Sequence, residues 1–146
     1  MNDIPEDGVH QCDMCRDPEQ AKRRMKDAMK EYGWIVHLVQ PDDEYPYGVN
    51  YHTHGLPETY NHPDLQIVLS LDPMTAHKII CTAVDKIKNG ARFDEGEAYD
   101  NILANYKVKF ILVRETDRQV LRMILPDKEG RLDILDIDEQ YQEQYQ

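Results

Sequence analysis

Two short patterns in the N-terminal half of the chain have residue types and spacings able to do chemistry: Cys12-x-x-Cys15 and His52-x-His54. A Cys-x-x-Cys turn lets two thiolates reach one metal, as in a zinc knuckle, but supplies only half of a tetrahedral set. Residues two apart in a strand project from one face, so His52 and His54 can offer two imidazoles to a single ion. Cys12, Cys15, His52 and His54 together would close a Zn²⁺ site, with His10 or His62 as substitutes. Four protein ligands leave no open position, so that zinc would be structural and would pin the N-terminal segment to the sheet. The simpler reading is a pair of reduced cysteines ahead of a helix and polar histidines on an exposed strand face.

An enzymatic alternative uses His52, His54 and His62 as an open metal site, with Asp64 or Glu58 as carboxylate partner. Three protein ligands and a water can activate hydrolysis. A redox role for the Cys pair is weaker, because no strand leads into Cys12 as it does in thioredoxin-like motifs. Cys81, in the middle of a helix pattern, reads as inert core. His37 in a strand and His77 in a helix read as packed or surface histidines. Gly90 to Gly96 lacks the spacing and the Lys-Ser/Thr of a phosphate-binding loop.

These residues need a scaffold, and the composition supplies one. With 146 residues, 40% hydrophobic and 31% charged, the chain suits a single globular domain with its own core. Its net charge of −11 argues against nucleic acid and anionic lipid as partners. The basic stretch Lys22-Arg23-Arg24 has Asp27 and Glu31 interleaved after it and reads as a solvated helix face. The N-terminus lacks a signal-peptide pattern, no apolar run is long enough to span a membrane, and three cysteines make no disulfide framework. The cytoplasm is the expected location.

Residues 1–11 are expected to be an irregular lead-in. Asp17 and Pro18 then open a helix with Ala21, Met25, Ala28, Met29 and Tyr32 at helical spacing, and Gly33 stops it. Strands are expected over 34–39, 49–54 and 65–71, with a loop between the last two where Gly55, Pro57, Asn61 and Pro63 fall. Asp72-Pro73 opens a second helix that Asn89-Gly90 ends. One helical turn is expected near 99–103, and strands over 106–113 and 120–125 form a hairpin. After a turn at 127–130, residues 132–135 read as an edge strand, followed by a polar tail over 138–146. Strands in runs, without strict alternation with helices, predict an α+β fold: a mostly antiparallel five- to six-stranded sheet with two helices packed on one face.

Cys12-x-x-Cys15-x-x-Pro18, Gly33-Trp34, Gly55-Leu56, His62-Pro63-Asp64-Leu65, Gly90, Phe93, Gly96 and Tyr106-x-Val108-x-Phe110 occur in that order. Over roughly residues 12–113 this string resembles the bacterial "domain of unknown function 4262" family. The resemblance implies a small bacterial-type cytosolic domain and no assigned reaction. It also implies that the Cys pair and the His-Pro-acidic-Leu turn are family features. His52 and His54 stand where members often read Tyr-Thr-Val-Gly-Leu.

Two functions follow. The first is a non-enzymatic binding or regulatory module with a structural zinc, meeting a protein partner or a second copy through an edge strand. The second is a small metal-dependent hydrolase built on His52, His54 and His62.

Overall fold

A computed structural model of the chain describes residues 18–39, 49–115 and 118–145. Helix α1 (Pro18–Tyr32) begins at the proline, whose missing N–H costs a first helical turn nothing. It stops where Gly33 takes φ +87° and returns its N–H to the Met29 carbonyl at 2.8 Å. Strands β1 (Ile35–Val39) and β2 (Asn50–His54) follow as an antiparallel pair.

The stretch after β2, expected as a loop, contains a short helix, α2 (Leu56–Tyr60). The residues that suggested a loop are its punctuation: Gly55 at the N-cap, Pro57 in the first turn and left-handed Asn61 at the C-cap. Gly55 is required there. At φ +108° an added Cβ would lie 2.5 Å from the Gly33 carbonyl oxygen.

Strand β3 (Asp64–Ile67) ends earlier than its apolar run suggests. The Leu71 N–H turns back to the Leu69 carbonyl, and the Leu71 carbonyl accepts from the Tyr51 hydroxyl at 2.9 Å. Helix α3 (Pro73–Lys88) has the expected bounds. The Asp72 carboxylate accepts from the Thr75 N–H at its start, and Asn89 caps its end.

The two-residue strand β4 (Ala98–Tyr99) replaces the helical turn expected near there. Strands β5 (Val108–Glu115) and β6 (Arg118–Ile124) form the longest pairing of the sheet, from Lys109↔Ile124 to Glu115↔Arg118. Residues 132–135 are not a strand. Asp133 offers its carbonyl to the N–H groups of Asp136 and Ile137, and this local turn leaves no extended ladder. The tail closes with a 3₁₀ helix, Glu139–Tyr145, whose Gln144 side chain is fully buried against both backbone groups of Leu125.

The sheet order is β1-β2-β3-β6-β5-β4, with every pair antiparallel except β3 and β6. The fold is therefore α+β around a mostly antiparallel six-stranded sheet, as the run of strands predicts. One sheet face is apolar. Tyr51, Leu65, Ile67, Val108, Phe110, Leu121 and Met123 meet Ala76, Ile80, Ala83, Val84 and Ile87 of α3 in one core. The strand period of two sends the alternate residues to the other face. There the polar β1–β3 positions are His37, Asn50, His52, His54, Asp64 and Gln66, with Ile35 and Val39 of β1 on the same face. Among the described residues, no helix is long and apolar enough to cross a membrane.

Candidate metal centre

The β1–β2 register places His37 directly opposite His52, with His54 two residues along the same face. Ring centroids of His37 and His52 lie 5.2 Å apart, and those of His52 and His54 lie 4.8 Å apart, both edge to face. The nearest ligand nitrogens of the three rings all fall within 4.8 Å of one another. Zinc–nitrogen bonds of about 2.0–2.1 Å in a tetrahedron set nitrogens about 3.4 Å apart, so the three rings would have to close by about an ångström to share one ion.

A polar network behind the cluster fixes one of these rings. The Glu115 carboxylate can only accept, and its Oε2 receives the Asn50 amide nitrogen at 3.1 Å and the Gln66 amide nitrogen at 2.8 Å. This turns the Asn50 oxygen toward His52, whose Nδ1 lies 2.9 Å away. Nδ1 of His52 therefore carries the proton and donates, and the lone pair stays on Nε2. An imidazole held through one nitrogen by an amide oxygen, with the other left basic, is the usual arrangement of a metal-binding histidine.

The network continues on both sides. Arg122 donates Nε to Gln66 Oε1 at 2.8 Å and Nη1 to the Gln144 carbonyl at 2.9 Å. Arg118 bonds Glu115 Oε1 through Nε and Nη2, and its Nη1 reaches Asp64 Oδ2 at 2.8 Å. Burial pushes the Glu115 carboxyl up. The hydrogen bond from Asn50, the charge His52 carries once protonated, and the hydrogen bond and charge of Arg118 outweigh it, and the net shift is downward.

All three histidines are held below the ordinary imidazole pKa. Burial lowers His37; burial and then the Arg118 charge lower His54. His52, the most buried of the three, is pushed down to about 4, chiefly by burial. At neutral pH the cluster is three uncharged imidazoles, the form in which histidine binds a metal.

Among the described residues, the other candidates do not join this cluster. His62 is 1% exposed and has both nitrogens engaged. Its Nδ1 donates to the Pro63 carbonyl at 2.8 Å, and its Nε2 accepts the Phe93 N–H at 3.0 Å. Its ring ties the α2–β3 corner to the loop after α3 and has no lone pair left for an ion. Asp64 is also committed. One oxygen accepts from Thr53 Oγ1 and the Leu56 N–H, and the other pairs with Arg118. Glu58 is exposed on α2. Cys81 is half-buried against His77, and burial raises its thiol pKa, which suits an inert packing role. Cys12, Cys15 and His10 lie outside the described residues.

His37, read from sequence as a packing or surface residue, is thus the third member of the cluster. Its partnership depends on register. Residues 40–49 separate the two strands, and a connection of that length does not set register as a two-residue turn does. The amide and guanidinium network was also missed, because Asn50, Gln66, Glu115 and Arg122 come from four different strands.

No curated protein and no solved structure matches the chain. The family model described as "Domain of unknown function (DUF4262)" matches residues 28–132. That span takes in His37, His52, His54 and His62 and begins after Cys12 and Cys15. A match over more than half of the 146 residues is decisive, and the chain belongs to the DUF4262 family.

Proposed function

We propose that this chain is a metal-binding module in which His37, His52 and His54 hold one divalent transition-metal ion. Zinc is the first candidate, because imidazole nitrogen suits it and tetrahedral sites are its habit. The observation that carries this reading is the convergence of three histidine nitrogens within 4.8 Å on one sheet face. The Asn50 bond that sets the His52 tautomer supports it. The role is binding or regulation, with the ion tying strand β1 to β2.

The fourth position has two versions. In one, a thiolate of Cys12 or Cys15 closes the site and the ion is structural. In the other, an external ligand occupies it, and a bound water there would be the nucleophile of a hydrolase. The pocket beside His54 favours the external ligand.

Elemental analysis of untagged protein tests the reading. Wild type is expected to carry one zinc per chain, and His37→Ala and His52→Ala are expected to carry none. Wild type without stoichiometric metal, or His37→Ala with a full complement, overturns it. Cobalt substitution separates the versions. A thiolate-to-cobalt charge-transfer band that disappears in Cys12→Ser or Cys15→Ser identifies the closed site, and its absence identifies the open one.

A further inference from the structure

Beside the cluster lies a pocket of about 470 Å³, lined by Arg23, Met25, Lys26 and Met29 of α1 together with Ile35 and His54. Its volume is in the range of small-molecule sites, and its walls have the usual mix of apolar surface with a few polar groups. Two features narrow the occupant. Met25, Met29 and Ile35 offer flexible, polarizable apolar contact that accepts straight or irregular hydrocarbon bodies. The chain carries 28 acidic against 17 basic residues, yet among the described residues this lining holds two cations and no carboxylate. Such a local reversal of charge selects an anion. His54 lines the pocket and belongs to the three-histidine cluster, so the pocket adjoins the candidate metal centre.

We propose that this pocket takes a small organic acid, an apolar body bearing one carboxylate, which meets the metal at the position three imidazoles leave open. The inference rests on the metal reading in its open form. The body lies along Met25, Met29 and Ile35, while Arg23 and Lys26 supply the positive field that draws the anion in. Carboxylate oxygen is an ordinary zinc ligand, and the metal distinguishes it from alcohols and amines of the same length.

Calorimetric titration of octanoate, octanol and octylammonium into zinc-loaded and chelator-treated protein tests this. Octanoate is expected to bind the zinc-loaded protein at least about tenfold more tightly than either other probe, and to lose that margin on chelation. Met29→Glu is expected to abolish octanoate binding and to retain one zinc per chain. Met25→Glu serves as a second variant should the first fail to fold. Equal binding of the three probes, or octanoate binding unchanged by a folded glutamate variant, overturns the acid proposal and leaves the metal reading standing. A wild type that retains no zinc overturns both, and the metal stoichiometry shows which has failed.

Discussion

At the residue scale, Asn50 matters more to the candidate site than its ordinary strand position suggests. Its nitrogen faces a carboxylate and its oxygen faces His52, so two hydrogen bonds decide which imidazole nitrogen is left for a metal. Asn50→Ala keeps all three histidines but removes that constraint, and zinc affinity is expected to fall roughly 10- to 100-fold. Competition with a chromophoric chelator measures it. An unchanged dissociation constant would mean that the His52 tautomer is set elsewhere. His62 gives the opposite result. His62→Ala leaves the Phe93 N–H buried without its acceptor, which alone costs about 1–3 kcal/mol of folding stability. Its zinc stoichiometry is expected to match wild type, since both of its nitrogens are already spent inside the fold. Residue types and spacing placed His62 among the candidate ligands and left His37, in an apolar strand, as a packed or surface residue. What separated them was which lone pairs the fold consumed.

At the element scale, two turns lie beyond the ends of β2 and β6. Gly55 joins β2 to α2 with φ +108° and its Cα hydrogens against the Gly33 carbonyl, so Gly55→Ala meets both backbone strain and a 2.5 Å clash. The expected loss is roughly 1–3 kcal/mol in denaturant midpoint experiments, and a loss below a few tenths would show that the corner relaxes freely. Asp127 organises the second turn. Its buried carboxylate accepts from the N–H groups of Glu129, Arg131 and Asp138 and from the Arg131 guanidinium. Burial pushes this carboxyl up, but those bonds outweigh it and hold it down to about 2. An unfolded aspartate titrates near 3.9, so this stabilisation is complete above about pH 4 and is lost as pH falls toward 2. Asp127→Asn is expected to flatten the acid limb of stability across that window, as read by urea midpoints. An acid limb as steep as that of wild type would place the proton uptake elsewhere. Helix bounds were legible because Pro18, Asp72-Pro73 and Asn89-Gly90 act through local chemistry. The helix α2 and the turn at 133–137 were not legible, since glycine and proline punctuate loops and helix ends alike, and a short alternating run cannot show whether a neighbour accepts its ladder.

At the scale of the whole molecule, the sheet separates two kinds of stabilisation. The α3 face is a continuous apolar core that runs from Tyr51 to Phe110 and Met123. The opposite face is held by a hydrogen-bonded chain from His52 to Gln144, assembled only when β3 pairs in parallel with β6 across a long connection. Stability is accordingly uneven. The β5–β6 hairpin is paired along its whole length in the sheet interior, whereas β1, among the described residues, is an edge strand with one partner. A metal shared by His37 of β1 and His52 and His54 of β2 would fasten that edge. Saturating zinc at about 100 times its dissociation constant adds about 2.7 kcal/mol to global stability. The increment to local opening should fall first on the least stable element. Native-state hydrogen exchange is therefore expected to show zinc slowing the amides of residues 35–39 and 50–54 by a larger factor than those of 108–124. In His37→Ala the same zinc is expected to leave the 35–39 amides unchanged. Uniform protection across both hairpins in wild type would mean that zinc binds the folded molecule without bridging β1 to β2, and the three-histidine assignment would have to be abandoned.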